Sequence, residues 1–198
     1  MNIDELIDEN NKHVGGWCLD PKQRFLAEIV QQRDLQNMVE IGVWQGKSLI
    51  PMAWGCKQKG SGKVIAIDAY DVAYLIENGG DEHPSYYAAD QNENEQKFLQ
   101  NLKRFEVEDF VTYEGPQASL QAAKKYKKDE FDLIHIDANH SEINSLQDFY
   151  SWFPKLKIGG ILVLDDTDRT QTIKLRQQAT ELCSKILEDQ NQWMALQK

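Results

Sequence analysis

Short apolar runs recur along the chain at residues 38–42 (MVEIG), 63–69 (KVIAIDA), 110–115 (FVTYEG), 131–137 (FDLIHID) and 160–166 (GILVLDD). Longer stretches with apolar positions three and four apart separate them, which predicts five strands joined by crossover helices. Leu49, Ile50, Ala53 and Trp54 mark one such helix, Phe98, Leu102 and Phe105 another, and Ile143, Leu146, Tyr150 and Phe153 a third. Strands alternating with helices in this way build a parallel sheet covered on both faces. The expected fold is therefore α/β: a mostly parallel central sheet with helices on both faces, in one domain over residues 1–198.

The flanks of that core are less regular. Within an N-terminal helical segment, 1–37, the hydrophilic residues 1–16 precede Asp20-Pro21, where Asp suits a helix cap, Pro the first turn and Gln23 the return bond of a capping box. Phe25, Leu26, Ile29 and Val30 follow at helical spacing, so one helix is expected before the first strand. Pro51 is tolerable in the first turn of the next helix, and Gly159-Gly160 reads as the turn into the fifth strand. Residues 70–90 interrupt the α/β core, 38–166, with Gly79-Gly80, Pro84 and tyrosines at 70, 74, 86 and 87. They read either as a lid or as an ordinary surface excursion. After the core, residues 167–198 leave space for a helix around Ile173 to Leu187 and a short strand at WMAL.

Charge narrows the class of partner. With 22 Lys and Arg against 32 Asp and Glu, the net charge is −10, which argues against nucleic acid, since phosphate backbones call for a basic face. Lys124, Lys125, Lys127 and Lys128 read as a solvated helix end. No apolar run approaches the roughly 20 residues of a membrane helix, and the acidic start is unlike a secretory signal. A cytoplasmic protein without a membrane partner is expected, and a homodimer is left open. Cys18, Cys56 and Cys183, odd in number and widely spaced, suggest reduced thiols rather than disulfides or a zinc site.

Ligands of open α/β sheets bind beyond the carboxyl ends of the strands. The first strand ends in Gly42-Val43-Trp44-Gln45-Gly46-Lys47-Ser48, a turn whose two glycines allow a sharp bend and close approach of a ligand. It is not the G-x-G-x-x-G of nicotinamide sites, and a purely structural turn would also account for it. The second strand ends in Asp68, placed either to accept hydrogen bonds from a ribose diol or to cap a helix.

Glu40-Ile41-Gly42, Gly46 and Ser48, then Asp68, then the run IHIDANHSEINSLQDFYSWFPKLKIGGILVLDD at 134–166, resemble the class I S-adenosylmethionine-dependent methyltransferases. Within that class the likeness, over about residues 15–168, is to metal-dependent O-methyltransferases of the catechol type and the related small-molecule group that includes macrocin-type sugar methyltransferases. The resemblance implies a Rossmann-like fold with S-adenosylmethionine as cofactor. It sets the methionine part against Gly42 and Gly46 with Glu40 supporting the turn, an aromatic at Trp44, the carboxylate at Ser48 and the ribose at Asp68. Around residue 115 the family has an acid and a Ser near the adenine, whereas this chain has Pro116 and Gln117; backbone contacts or the Gln117 amide are left for that role. The family also adds two terminal strands, for which residues 167–198 are short, so one or both are expected to be missing or abbreviated.

Asp137, Asp165 and Asp166 end two neighbouring expected strands. Three uncompensated carboxylates in one cleft would raise each other's pKa, and an all-oxygen set suits Mg²⁺ or a similar hard cation, as in the catechol-type enzymes. A solvated strand exit is the alternative. His140 stands where those enzymes carry a Lys base, and an imidazole of pKa about 6.5 suits proton abstraction; orienting the Asp137 loop is the other role open to it. His135, inside a strand, reads as a satisfied core residue. Trp17 with Tyr70, Tyr74, Tyr86 and Tyr87 would wall a small-molecule acceptor or serve as hydrophobic cover. The expected function is thus metal-assisted O-methylation of a small organic acceptor. The alternatives are a metal-independent small-molecule methyltransferase and a non-catalytic S-adenosylmethionine-binding module.

Overall fold

The computed structural model describes residues 1–71 and 91–198. Strands β1 (Asn37–Ile41), β2 (Lys63–Ile67), β3 (Val111–Thr112), β4 (Phe131–Ile136), β5 (Leu156–Asp165), β6 (Lys185–Asp189) and β7 (Trp193–Gln197) form one sheet in the order β3-β2-β1-β4-β5-β7-β6. The first five run parallel, while β7 is antiparallel to both β5 and β6. The expected α/β architecture is observed.

Residues alternate across this sheet as the period of two requires. Met38, Leu133, Ile161 and Val163 join one core with side chains of α1 (Ile3–His13), α2 (Asp20–Gln32), α3 (Leu49–Lys59) and α4 (Gln91–Phe105). Val39, Ile41, Ile134, Leu162 and Leu164 join the other, under α5 (Ser119–Ala123), α6 (Glu142–Trp152) and α7 (Ile173–Leu182). The same parity puts Glu40, His135 and Asp165, all polar, on the α1–α4 face. They stand near the carboxyl ends of β1, β4 and β5, with Glu40 directly opposite His135.

Several local expectations are corrected. Two helices, not one, precede β1. Residues 3–13 are helical because Asn2 accepts from the Asp4 and Glu5 amides while Glu5 returns a bond to the Asn2 amide, and Leu6, Ile7 and Asn10 are buried. Asp20 does not cap α2: Leu19 holds that position without a side-chain bond, and Asp20 accepts from Asn11 Nδ2 at 2.8 Å. Gln23 turns inward, donating to the Cys18 carbonyl and to Asn11 Oδ1 and accepting from Asn10 Nδ2. Asn10 also donates to the Lys47 carbonyl at 2.7 Å, so a buried polar cluster fastens α1 and α2 to the turn after β1.

At the other end, α7 stops at Leu182 rather than continuing to Leu187, and both terminal strands are present, each of five residues. Ala179, Leu182, Cys183 and Ile186 keep helical spacing, which disguised the edge strand β6. Gly159 and Gly160 lie inside β5 rather than before it, at a register shift opposite Phe131 and Leu133. Among the described residues, no helix is long and apolar enough to cross a membrane. Of the expected lid at 70–90, residues 72–90 lie outside the described residues, and Tyr70 is buried.

Candidate active site

A cavity of about 660 Å³ opens at the carboxyl ends of β1, β2, β4 and β5. Its floor begins at Gly42, whose amide donates to the Ile67 carbonyl while the Asp137 amide donates to the Ile41 carbonyl, each at 2.8 Å. The turn is thus tied to both neighbouring strands. Gly42 has φ +87°, and a Cβ there would lie 2.1 Å from the Asp137 carbonyl oxygen; only glycine permits this path. Trp44, at φ 49°, donates its amide to Asp68 Oδ2 at 2.9 Å. Ser48 borders the cavity with its hydroxyl donating to the buried Glu40 carboxyl. Gly46 is not brought into the cavity; it faces Phe98 and Ile50 in the core and serves the turn.

Asp68 borders the cavity and also accepts from the Tyr70 amide, at 2.9 Å. Burial raises its pKa, the Trp44, Tyr70 and Val43 amides opposing that rise. A carboxylate offers about four acceptor positions, so it keeps capacity for a ligand hydroxyl. Gln117 borders the same end, with its amide donating to the Asp68 carbonyl and its Oε1 accepting from Lys125 at 2.9 Å. Ser119 and Leu120 of α5 also border it, two residues that the reading of 115–117 did not include. The Ser119 hydroxyl donates to Asp148 and accepts from Trp152 Nε1 at 2.8 Å. Burial pushes the Asp148 carboxyl up to about 6.

Asp137, Asp165, Asp166 and His140 are gathered at the opposite side of the cavity. The residue missed there is Lys22 of α2, only 1% exposed, whose Nζ lies 2.9 Å from Asp165 Oδ1 and 3.3 Å from Asp137 Oδ2. Its signal was present in the sequence, because Lys22 falls on the same helical stripe as Leu26, Ile29 and Val30. Burial opposes the Lys22 charge, but Asp137 and Asp165 outweigh it and hold the ammonium protonated. Burial and the neighbouring Asp165 push the Asp137 carboxyl up to about 6. Asp165, desolvated but against Lys22, is held down at about 2.

His140 Nε2 lies 3.1 Å from Asp166 Oδ2 and 3.6 Å from Asp137 Oδ1, and Arg169 pairs with Asp166 at 2.9 Å. Beneath them His135 is fully buried with Nδ1 3.3 Å from Glu40 Oε1, yet neither ring nitrogen meets hydrogen-bond geometry among the described residues. It is a core histidine, though not the satisfied one expected. Burial and then the Lys22 charge lower its pKa to about 3, so it is neutral. Burial likewise pushes Glu40 up to about 8, which leaves a protonated acid beside a neutral imidazole rather than an ion pair.

The expected magnesium site meets these partners. Its donors are all oxygen, as a hard cation requires, but the place between Asp137 and Asp165 is held by the Lys22 ammonium. An ion at the usual distance of about 2.1 Å from either carboxylate would stand close to that fixed positive charge. Asp137 clusters instead with Glu40 and His135, one donor atom of each lying within 4.8 Å of the others. With Lys22 in place the gap between Asp137 and Asp165 does not fit a divalent ion.

Of the expected aromatic wall, Trp17 borders the cavity and is 63% exposed, its ring 6.2 Å from that of Trp44. Tyr70 is buried, its hydroxyl donating to the Trp44 carbonyl, so it supports the turn rather than facing an acceptor. Tyr74, Tyr86 and Tyr87 lie outside the described residues.

This sheet order, with a glycine turn after β1 and an acid after β2, defines the Rossmann-like class I methyltransferase architecture. Residues 39–167 match the family described as a methyltransferase domain, and the chain belongs to that family. A caffeoyl-CoA O-methyltransferase of Populus kitakamiensis is 28% identical over 148 residues, 73% of this chain and 52% of that one. The chain thus spans about half the length of this curated relative. The O-methyltransferase from Bacillus cereus in complex with SAH aligns with a TM-score of 0.61 at 19% identity, over 99% of this chain and 90% of that one. TomG from Streptomyces achromogenes, an O-methyltransferase involved in tomaymycin synthesis and solved with SAM, aligns at 0.64 and 14% identity, over 92% and 82%. These two likenesses bear on the fold.

Proposed function

We propose that this chain binds S-adenosylmethionine in the cavity and methylates a hydroxyl oxygen of a small organic acceptor. The observation that carries the reading is one cavity that joins the Gly42 turn and Asp68 to Asp137 and His140, at the strand ends where ligands of such sheets bind. The Gly42 turn borders the place of the methionine part, with Trp44 beside it and Ser48 near the carboxylate. Asp68 accepts from the ribose, and Gln117, Ser119 and Leu120 border the adenine.

The cofactor supplies an electrophilic methyl on a sulfonium; transfer forms the O–C bond, breaks the S–C bond with its electron pair left on sulfur, and frees the hydroxyl proton. His140 takes that proton, its ring held in place by Asp166, which Arg169 in turn anchors. Asp137, whose Oδ1 lies 3.6 Å from His140 Nε2, is the neighbouring carboxylate. Positioning in a walled cavity and a proton acceptor supply the rate, and no step is assigned to magnesium because Lys22 fills its place. The acidic lining and the net charge of −10 favour a small acceptor over nucleic acid.

Assay of wild type with S-adenosylmethionine against phenols, sugars and other hydroxyl compounds, with methylated product detected by mass, tests the reading. An accepted compound should lose about 10²–10⁴-fold in kcat on His140→Ala. Unchanged turnover in that variant would remove His140 from the reaction, and a folded, cofactor-binding chain inert to the whole panel would favour a binding module.

A further inference from the structure

The acidic end of the cavity contains a cation of its own. Two carboxylates, Asp137 and Asp165, end adjacent parallel strands on one face of the sheet, and a buried lysine from a different layer reaches both. Such an arrangement is expensive to build: an ammonium at 1% exposure is tolerated only when paired. The approach is also specific. α2 is fastened over the sheet by the Asn10–Gln23–Cys18 cluster and the bond from Asn10 to the Lys47 carbonyl, and Gln23 is the immediate neighbour of Lys22. The element that delivers the ammonium is therefore locked to the same turn that floors the cofactor end of the cavity.

We propose that Lys22 is a built-in counter-cation that replaces a divalent metal ion at this site, so that the chain works without metal and gains a metal site only when Lys22 is removed. An ammonium carries three donors, of which Asp137 and Asp165 take two. These bonds fix the Asp137 side chain next to His140, and Lys22 acts through Asp137 as a positioning residue. Truncating it leaves two buried carboxylates facing one another, an arrangement relieved by protonation or by an incoming hard cation.

The inference rests on the methyl-transfer reading only for its activity arm; the metal arm uses Mn²⁺ alone. Wild type, titrated with Mn²⁺ by calorimetry, should give no saturable binding at millimolar ion, and turnover should be the same with and without EDTA. Folded Lys22→Ala should acquire one saturable Mn²⁺ site, abolished by a further Asp165→Asn, and its lowered kcat should rise when Mg²⁺ is added while S-adenosylmethionine affinity stays within a few-fold of wild type. Mn²⁺ binding by wild type that Asp165→Asn abolishes would overturn the proposal, as would folded Lys22→Ala that binds no Mn²⁺. If Lys22→Ala does not fold, the wild-type titration and the EDTA comparison still decide it. Failure of wild type to bind S-adenosylmethionine would sink the methyl-transfer reading while leaving the metal arm standing.

Discussion

Glu40 sets the character of the floor beneath the candidate site. It is fully buried on β1, accepts from Ser48, and is pushed up to about 8 by desolvation. Its folded pKa thus lies above the unfolded value of about 4.3, so between those two values the folded chain binds a proton that the unfolded chain has lost. Stability from this residue is therefore greatest at the acid end of the window and falls as pH rises towards 8, with a slope of at most about 1.4 kcal/mol per pH unit. Glu40→Gln keeps an acceptor for Ser48 and removes the titration. Urea unfolding of both proteins across roughly pH 5 to 8, within that window, should show a steeper decline in wild type than in the variant, which keeps only the decline from Asp137 and Asp148 at the acid end; parallel curves would mean Glu40 is ionised in the fold. At this same scale the sequence was legible where a residue stands at a strand end, as with Asp68, Asp137 and Asp166. It was less legible where a role depends on a partner from another layer: the apolar stripe of α2 includes Lys22 but does not name Asp137 and Asp165 as its partners, and the glycine spacing alone does not tell that Gly46 faces Phe98 and Ile50 in the core.

Among the elements, α2 connects packing to chemistry. It crosses α3 closely enough that a Cβ on Gly55 would lie 2.9 Å from both the Ala27 carbonyl oxygen and Val30 Cβ. Gly55→Ala gains about 1 kcal/mol of helix propensity but overpacks the crossing at a cost of about 1–3 kcal/mol. A lower urea midpoint at unchanged slope is expected, together with weaker turnover, because α2 carries Lys22 to Asp137 and Asp165. An unchanged or higher midpoint would contradict the tight crossing. The five core strands were legible because their apolar runs are too short for a buried helix and are bounded by polar ends or glycine. Helix α1 was not, since its buried face is only Leu6, Ile7 and Asn10, too sparse to show a period. β6 escaped because an edge strand buries little, and its Ile186 continues the spacing of the helix before it.

Over the whole molecule, parity along three strands assembles the candidate site. Glu40, His135 and Asp165 share a sheet face with Met38, Leu133 and Val163, and the cavity opens where that face meets the strand ends. The doubly covered sheet, the glycine turn and the acid after β2 were all readable in the chain, and residues 39–167 match the methyltransferase-domain family. The metal expectation came from counting carboxylates without their counter-charge, which sits more than 100 residues away in sequence, at Lys22 against Asp137. The central claim is that the Gly42 turn and Asp68 hold S-adenosylmethionine in this cavity. Calorimetric titration of wild type and of Asp68→Ala with that cofactor, in EDTA, tests it most directly. Saturable one-to-one binding by wild type, weakened by about tenfold or more in Asp68→Ala as the loss of a charged hydrogen-bond acceptor predicts, is the expected result; no binding by folded wild type at millimolar cofactor would contradict the claim.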